Sequence, residues 1–324
     1  MQARSELTVS LFQRTLDCMA DGVLLTGRAR DIVYASRPFL RLWNIPDGAL
    51  STLREEDVFH LMAGQLVDPG TIRNEAERLY GSAEHSDDEI MLKDGRVFAR
   101  RSAPFEEEGD GFARIWIFSD ITDAIQAQID LLTGLPNRRA YSIRYPALVS
   151  APSDGRVTAL AIMDIDNFKA YNDAYGHAAG DVVLQRVGRV IASHLRDPAA
   201  SAFRIGGEEF VIACKARNDA GAIAFFEKLR KSIAAKAIPH MRNNPEGVVT
   251  ASFGLAMFLE PRDPGLLFEA VDHALYHSKS LGRNSVTIAD LSRVPIITPV
   301  EAEPLSTLAS LASAAGLVNQ TAPK

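Results

Sequence analysis

Cysteine is nearly absent. Cys18 and Cys214 are the only two among 324 residues, and neither has a second cysteine at metal-ligand spacing. A disulfide framework and a structural zinc site are therefore excluded, and a reducing cytoplasm is the expected compartment. Long apolar runs are also missing: nothing approaches the ~18–20 uninterrupted apolar residues of a membrane span, and even Leu305 to Val318 is short and rich in Ser and Ala. The first residues carry Arg4 and Glu6 without an apolar core, which predicts no secretory leader. A basic stripe is lacking too. The formal charge is −6, with 14 basic and 22 acidic residues through Asp123 and 21 basic against 19 acidic after it, which argues against a nucleic-acid protein. Finally, neither a Gly-x-x-x-x-Gly-Lys-Ser/Thr nor a Gly-x-Gly-x-x-Gly pattern occurs, so P-loop and Rossmann sites are excluded.

What remains is a globular composition, 47% hydrophobic and 23% charged, in a chain long enough for about two domains. The fold class expected is α+β, in four parts. Residues 1–120 open with an amphipathic stretch (Leu11, Phe12, Leu16, Met19) and continue with short β-type runs at Gly22–Thr26 and Ile32–Ala35. Two further runs, Glu89–Leu92 and Arg96–Arg101, flank an Asp94-Gly95 turn that favours a hairpin, and Ala113–Ser119 is a last strand. Together these predict an antiparallel-sheet domain. Over 121–132, Ile121, Ile125, Gln128 and Leu132 alternate at four and three, which predicts a connector helix: either a short dimer stalk or an ordinary linker.

Residues 133–290 change pattern. Thr158–Ile165 is a continuous apolar run ending in acids, as in a buried strand. A helix is expected from Gly180-Asp181, and a hairpin around Gly206-Gly207 with glycine supplying positive φ. A helix over Ala220–Ala235, a strand over Val248–Ala256 and a helix over Leu266–Ser280 complete an α/β sandwich. Residues 291–324, rich in Pro, Ser and Ala, read as a flexible tail.

The chemistry-bearing groups cluster at two places. Asp164-Ile165-Asp166 ends the apolar strand and Glu208-Glu209 sits at the hairpin tip, where hard oxygen ligands around a cleft suit Mg²⁺. Asn167, Phe168 and Lys169 open a helix whose free N–H groups can hold an anion. Lys279 and Arg283 reach either toward phosphate or toward their own helix C-terminus. Asn172 and Asp181 can pair with a base edge, with a helix N-cap as the competing role for Asp181. His177 reads as a turn or core histidine rather than a ligand, and His60 and His85 as surface or packing residues rather than haem ligands.

Two resemblances follow from these motifs. Met19-Ala20-Asp21-Gly22-Val23, Ile32-Val33-Tyr34-Ala35-Ser36 with Phe39 and Leu42-Trp43, and Asp94-Gly95-Arg96 leading to Ser119-Asp120-Ile121-Thr122 resemble a PAS sensor domain. The second region is similar to the GGDEF family of diguanylate cyclases. That likeness rests on Asp130-Leu131-Leu132-Thr133-Gly134-Leu135-Pro136-Asn137, Asp164 to Lys169 with Asn172, Gly180-Asp181, Arg204-Ile205-Gly206-Gly207-Glu208-Glu209-Phe210, and Ala274-Leu275-Tyr276 with Lys279 and Gly282-Arg283-Asn284.

This second resemblance implies a palm-like, nucleotide-cyclase-type domain that condenses two GTP into cyclic di-GMP and pyrophosphate as a homodimer controlled by the PAS domain. A catalytically silent GTP-binding signalling module is the alternative. It further implies Asp164, the Ile165 carbonyl and Glu208 as ligands of Mg²⁺ (Mn²⁺ substituting), and Glu208, Asp164 and Lys279 as catalytic residues. Asn172, Asp181, Phe168, Lys169, Gly207 and Arg283 are implied as substrate-binding, with any PAS ligand an unidentified small molecule. The family's Arg-x-x-Asp product site would fall on Asp197-Pro198-Ala199-Ala200, which lacks both residues.

Overall fold

The computed structural model describes residues 2–46, 48, 54–105, 113–197 and 199–298. The chain divides into two compact units, Met1–Ala127 and Gln128–Lys324.

The first unit starts with helix α1 (Gln2–Cys18), followed by strands β1 (Gly22–Thr26) and β2 (Ile32–Ala35). Helices α2 (Arg37–Leu42), α3 (Glu55–Gln65) and α4 (Pro69–Tyr80) come next, then strands β3 (Ser86–Met91), β4 (Val97–Phe105) and β5 (Ala113–Asp120). Every pairing is antiparallel, in the order β2-β1-β5-β4-β3. The expected hairpin forms between β3 and β4, with Gly95 at φ +90° closing the turn. On β5, Trp116 and Phe118 face inward while Ile115 and Ile117 are less buried, the two-residue period of a half-covered sheet. The inner face packs on Phe39, Trp43, Val58, Met62, Ile72 and Leu79 of the helical segment. Trp43 meets the rings of Phe98 and Phe118 edge-on, each at 5.3 Å, the geometry that ring quadrupoles prefer.

The connector differs from expectation. Helix α5 spans only Thr122–Gln126, and Ile125 is buried rather than offered to a partner helix. Beyond it the backbone turns: the Gln128 carbonyl accepts from the Asn137 N–H, Ile129 bridges to Pro136, and Asp130 binds the Thr133 N–H and hydroxyl. These local bonds replace the i→i−4 ladder that a helix through Leu132 would need.

The second unit contains helix α6 (Arg138–Ser150), strand β6 (Val157–Ile165), helices α7 (Phe168–Tyr175) and α8 (His177–His194), and strands β7 (Ser201–Arg204) and β8 (Glu209–Ala216). Helix α9 (Asp219–Ala234), strand β9 (Ala251–Phe258), helix α10 (Pro264–Ser280) and strand β10 (Val286–Ile288) complete it. The sheet order is β10-β9-β6-β8-β7, antiparallel except for β10 on β9. All nine residues of β6 are buried. Ala159, Ala161, Met163 and Ile165 pack on α8 and α9, whereas Leu160 and Ile162 pack on α6 and α10. This three-layer arrangement places Asp164 on the α10 side. Gly254 permits the close contact of β9 with α10, since a Cβ there would lie 2.1 Å from the Val271 carbonyl oxygen.

Three further expectations are corrected. Helix α8 begins at His177 after Gly176 (φ +83°), so Asp181 lies one turn inside it and caps nothing. Gly206 and Gly207 are absent from the positive-φ glycines, so the signature turn does not use that freedom. The start of the expected tail is docked: Val294 is buried, Ile296 bridges to Arg262, and the Ile297 N–H donates to the Pro261 carbonyl. Residues 299–324 lie outside the described residues.

Candidate active site

Strand β6, central in the sheet, carries Asp164 near its C-terminal end between β8 and β9, opposite Glu209 on one side and Ser252 on the other. The Ile165 N–H donates to the Glu208 carbonyl at 3.3 Å, which draws the hairpin tip beside the strand end. Lys279, in the last turn of α10, sets its Nζ 2.8 Å from Asp164 Oδ2. Burial pushes the Asp164 carboxyl up to about 6, against the pull of Lys279, and the nearby Glu208 and Glu209 charges add to the rise. A carboxylate held this way gains from an added cation. Two carboxylates and a backbone carbonyl form a hard-oxygen set that fits Mg²⁺. Among the described residues no three or more His, Cys, Asp or Glu side chains group as a metal centre.

Asp166, two residues on, belongs to the scaffold. It is fully buried, and its oxygens accept from Thr250 Oγ1 (2.7 Å), Ser252 Oγ (2.6 Å) and the Asn284 N–H (3.0 Å). With those bonds made, it is a structural anchor rather than a ligand.

The remaining expected residues lie on α7, α8 and the α10 exit. Asn172 turns its Oδ1 into a buried spot where that atom has no hydrogen-bond partner. Gly180 makes the room, since a Cβ there would stand 1.9 Å from the same oxygen. An unpaired buried acceptor is costly unless a ligand donor fills it. Asp181 follows Gly180 on the exposed face of α8. The Phe168 ring is buried against the core, stacked on Tyr171 at 6.3 Å, so only its backbone can meet a ligand. Lys169, Gly207 and Arg283 are exposed, and Arg283 stands at φ +67° in the turn after α10.

A clamp on the signature turn went unseen in the sequence. Arg204 binds both oxygens of Asp130 (2.9 and 3.1 Å), and its Nη2 donates to the Gly207 carbonyl at 2.8 Å. Burial pushes the Asp130 carboxyl upward, but Thr133 and Arg204 hold it below the ordinary range. The hairpin tip is thereby tied to the segment that opens the second unit. Both residues stand in quoted motifs, but nothing in their spacing pairs them.

At the position of the product site, Asp197 pairs with Arg156 at 3.5 Å and caps its own turn through the Ala199 N–H, and Ala200 is buried. Pro198 lies outside the described residues.

Residues 127–285 match the family described as diguanylate cyclase, GGDEF domain. Apart from its first residue, this match lies within the second unit, and it covers just under half of the chain. Diguanylate cyclase VdcA of Vibrio cholerae is 37% identical over 161 residues, covering 49% of this chain and 46% of that protein. Diguanylate cyclase DgcM of Escherichia coli is 33% identical over 239 residues, 70% of this chain and 56% of that protein. Among solved structures, the GGDEF domain of DgcB from Caulobacter crescentus in complex with c-di-GMP is 35% identical, with a TM-score of 0.43, covering 50% of this chain and 95% of that one. VdcA, DgcP and MucR are matched over 46%, 24% and 22% of their own lengths, so the chain spans less than half of each. No helix among the described residues is long and apolar enough to cross a membrane.

Proposed function

We propose that the chain is a diguanylate cyclase, joining two GTP into cyclic di-GMP with release of two pyrophosphates. The observation that carries this reading is the pairing, within a GGDEF domain, of a buried Asp164 whose carboxyl is pushed up to about 6 with an unpartnered buried Asn172 Oδ1. One group wants a cation and the other a donor.

In this reading the Asn172 amide oxygen accepts from the guanine edge, and Asp181 accepts from the same edge across α8. The Phe168 and Lys169 N–H groups, the Lys169 ammonium and the Arg283 guanidinium hold the phosphates, and Gly207 lets them approach the hairpin. Asp164, the Ile165 carbonyl and Glu208 hold Mg²⁺, or Mn²⁺ in its place. When bound, the ion supplies activation of the 3′-hydroxyl and charge stabilisation on the departing pyrophosphate. Each step forms a bond from a 3′-oxygen to an α-phosphorus and breaks the bond from that phosphorus to the bridging oxygen. Glu208 is the carboxylate available at the hairpin tip to accept the hydroxyl proton. Lys279, 2.8 Å from Asp164 Oδ2, is the cation that would neutralise the leaving group's charge.

One domain holds one GTP, so the reaction needs two domains facing each other, and a homodimer is part of the proposal. The first unit, with its five-stranded antiparallel sheet covered by helices, supports the reading of a PAS sensor that sets this geometry, its ligand unidentified. A cytoplasmic location, where GTP is available, belongs to the same proposal. Incubation of the purified chain with GTP and Mg²⁺, followed by chromatography, is expected to yield cyclic di-GMP and pyrophosphate. Unchanged GTP would overturn the reading.

A further inference from the structure

The loop between α9 and β9 carries a buried polar chain that the reaction as described does not use. His240 is fully buried, and its Nε2 lies 3.1 Å from the Asn167 carbonyl oxygen. A carbonyl only accepts, so Nε2 carries the proton. Asn167 Nδ2 donates to Asn243 Oδ1 at 2.8 Å. Asn243 Nδ2 in turn donates to the Val248 carbonyl (2.7 Å) and to Thr250 Oγ1 (2.9 Å). Thr250 then donates to Asp166, which also holds the Asn284 N–H.

Both ends of this chain hold backbone in the left-handed region. Asn167 has φ +54° and opens α7, while Arg283 and Asn284 have φ +67° and +45°. Such residues cost free energy and persist where their surroundings fix them. The fixed segments are those that present Phe168, Lys169 and Arg283. Around them the loop is tied down twice more, by the Met241 N–H donating to the Tyr175 hydroxyl (3.1 Å) and by Asn284 Nδ2 donating to Glu246 (3.0 Å).

We infer that His240, Asn243 and Asp166 are positioning residues for the nucleotide's phosphates: from behind the site they hold the α7 entry turn and the Arg283 turn in register with each other. The inference rests on the GTP reading above and adds to it the loop 235–250, whose His240 and Asn243 are buried. Breaking the relay should loosen phosphate binding while leaving Asp164 and Glu208 in place, so KM moves and kcat does not.

The test uses the full chain with GTP and Mg²⁺. His240→Ala should raise KM about tenfold, the size of one lost hydrogen bond to a buried acceptor, with kcat within about threefold. His240→Gln, whose amide nitrogen can still donate to the Asn167 carbonyl, should restore KM. Asn218→Ala, which removes the N-cap of α9, should lower Tm with KM unchanged. Amide exchange of the nucleotide-free protein gives a readout independent of turnover, and His240→Ala should speed exchange at 165–172 and 281–285. A lower Tm with unchanged KM in His240→Ala, or no recovery in His240→Gln, would overturn the inference. If the wild-type chain makes no product, the GTP reading fails, and exchange decides the relay: local acceleration supports it and unaltered exchange overturns it.

Discussion

Arg114 in the first unit and Asp164 in the second are both charged groups withdrawn from water, and their surroundings differ. Arg114 is fully buried and donates to Ser102 Oγ (3.0 Å), to the carbonyls of Leu79 (2.6 Å) and Ser82 (2.9 Å) from one nitrogen, and to that of Glu84 (2.5 Å) from the other. Each of its three nitrogens donates within the fold. Asp164 has one lysine, itself one-third exposed, and two further carboxylates nearby that raise its pKa. A buried charge saturated by its own chain is scaffold, whereas one left undersupplied marks where something else binds.

That contrast can be broken by substitution. Asp164→Asn keeps the shape and removes the charge. It should cut turnover by roughly 10³-fold or more, since a metal ligand contributes several kcal/mol to the transition state. The fold should not suffer. The folded-state pKa of Asp164 is raised, so its favourable contribution is present below the ordinary carboxylate pKa of about 4 and is lost as pH rises through about 6. Melting curves of metal-free protein at pH 8 should therefore show the variant at least as stable as wild type; a marked drop in Tm would make Asp164 structural. Arg114→Met should do the reverse, removing four hydrogen bonds, of which those to Ser102 and Leu79 lie in the buried core, at a cost of about 3 kcal/mol or more. The first unit should melt early while the second keeps its transition, as calorimetry would show.

Arg204→Lys sharpens the comparison at a partly exposed ion pair. Lysine cannot bind Asp130 through a planar fork and also hold the Gly207 carbonyl. Turnover should fall about tenfold with little change in Tm, measured by product assay and calorimetry. The two cysteines give the smallest effect. Cys18 is exposed, whereas burial pushes the Cys214 thiol up to about 12. At pH 8 an alkylating reagent should label Cys18 alone by mass spectrometry, and Cys214 only after unfolding. Because its folded pKa is raised, Cys214 costs stability only as pH climbs from about 9 toward 12.

The contrast between the units also marks what was legible in the sequence. Strand β6 and the β3–β4 hairpin were readable because unbroken apolar runs and Asp-Gly turns act locally. Asp164 and Glu208 were readable as acids at a strand end and a turn tip. The connector helix was misread because a four-and-three spacing over Ile121 to Leu132 says nothing of the Asp130–Thr133 turn that captures the backbone. Helix α6 and the short parallel strand β10 went unforeseen, one lacking a clear apolar stripe and the other only three residues long. The Asp130–Arg204 and His240–Asn167 bonds join residues 74 and 73 positions apart, and no local pattern encodes such a pairing.

The most direct test of the central claim compares wild type with Glu208→Gln in two assays on the same preparations: GTP binding by calorimetry and cyclic di-GMP formation by chromatography, both with Mg²⁺. The account predicts that wild type binds and cyclises, while Glu208→Gln still binds GTP through Asn172, Asp181, Lys169 and Arg283 and forms no product. A wild-type chain that binds GTP without cyclising it, or a Glu208→Gln variant that turns over normally, would contradict it.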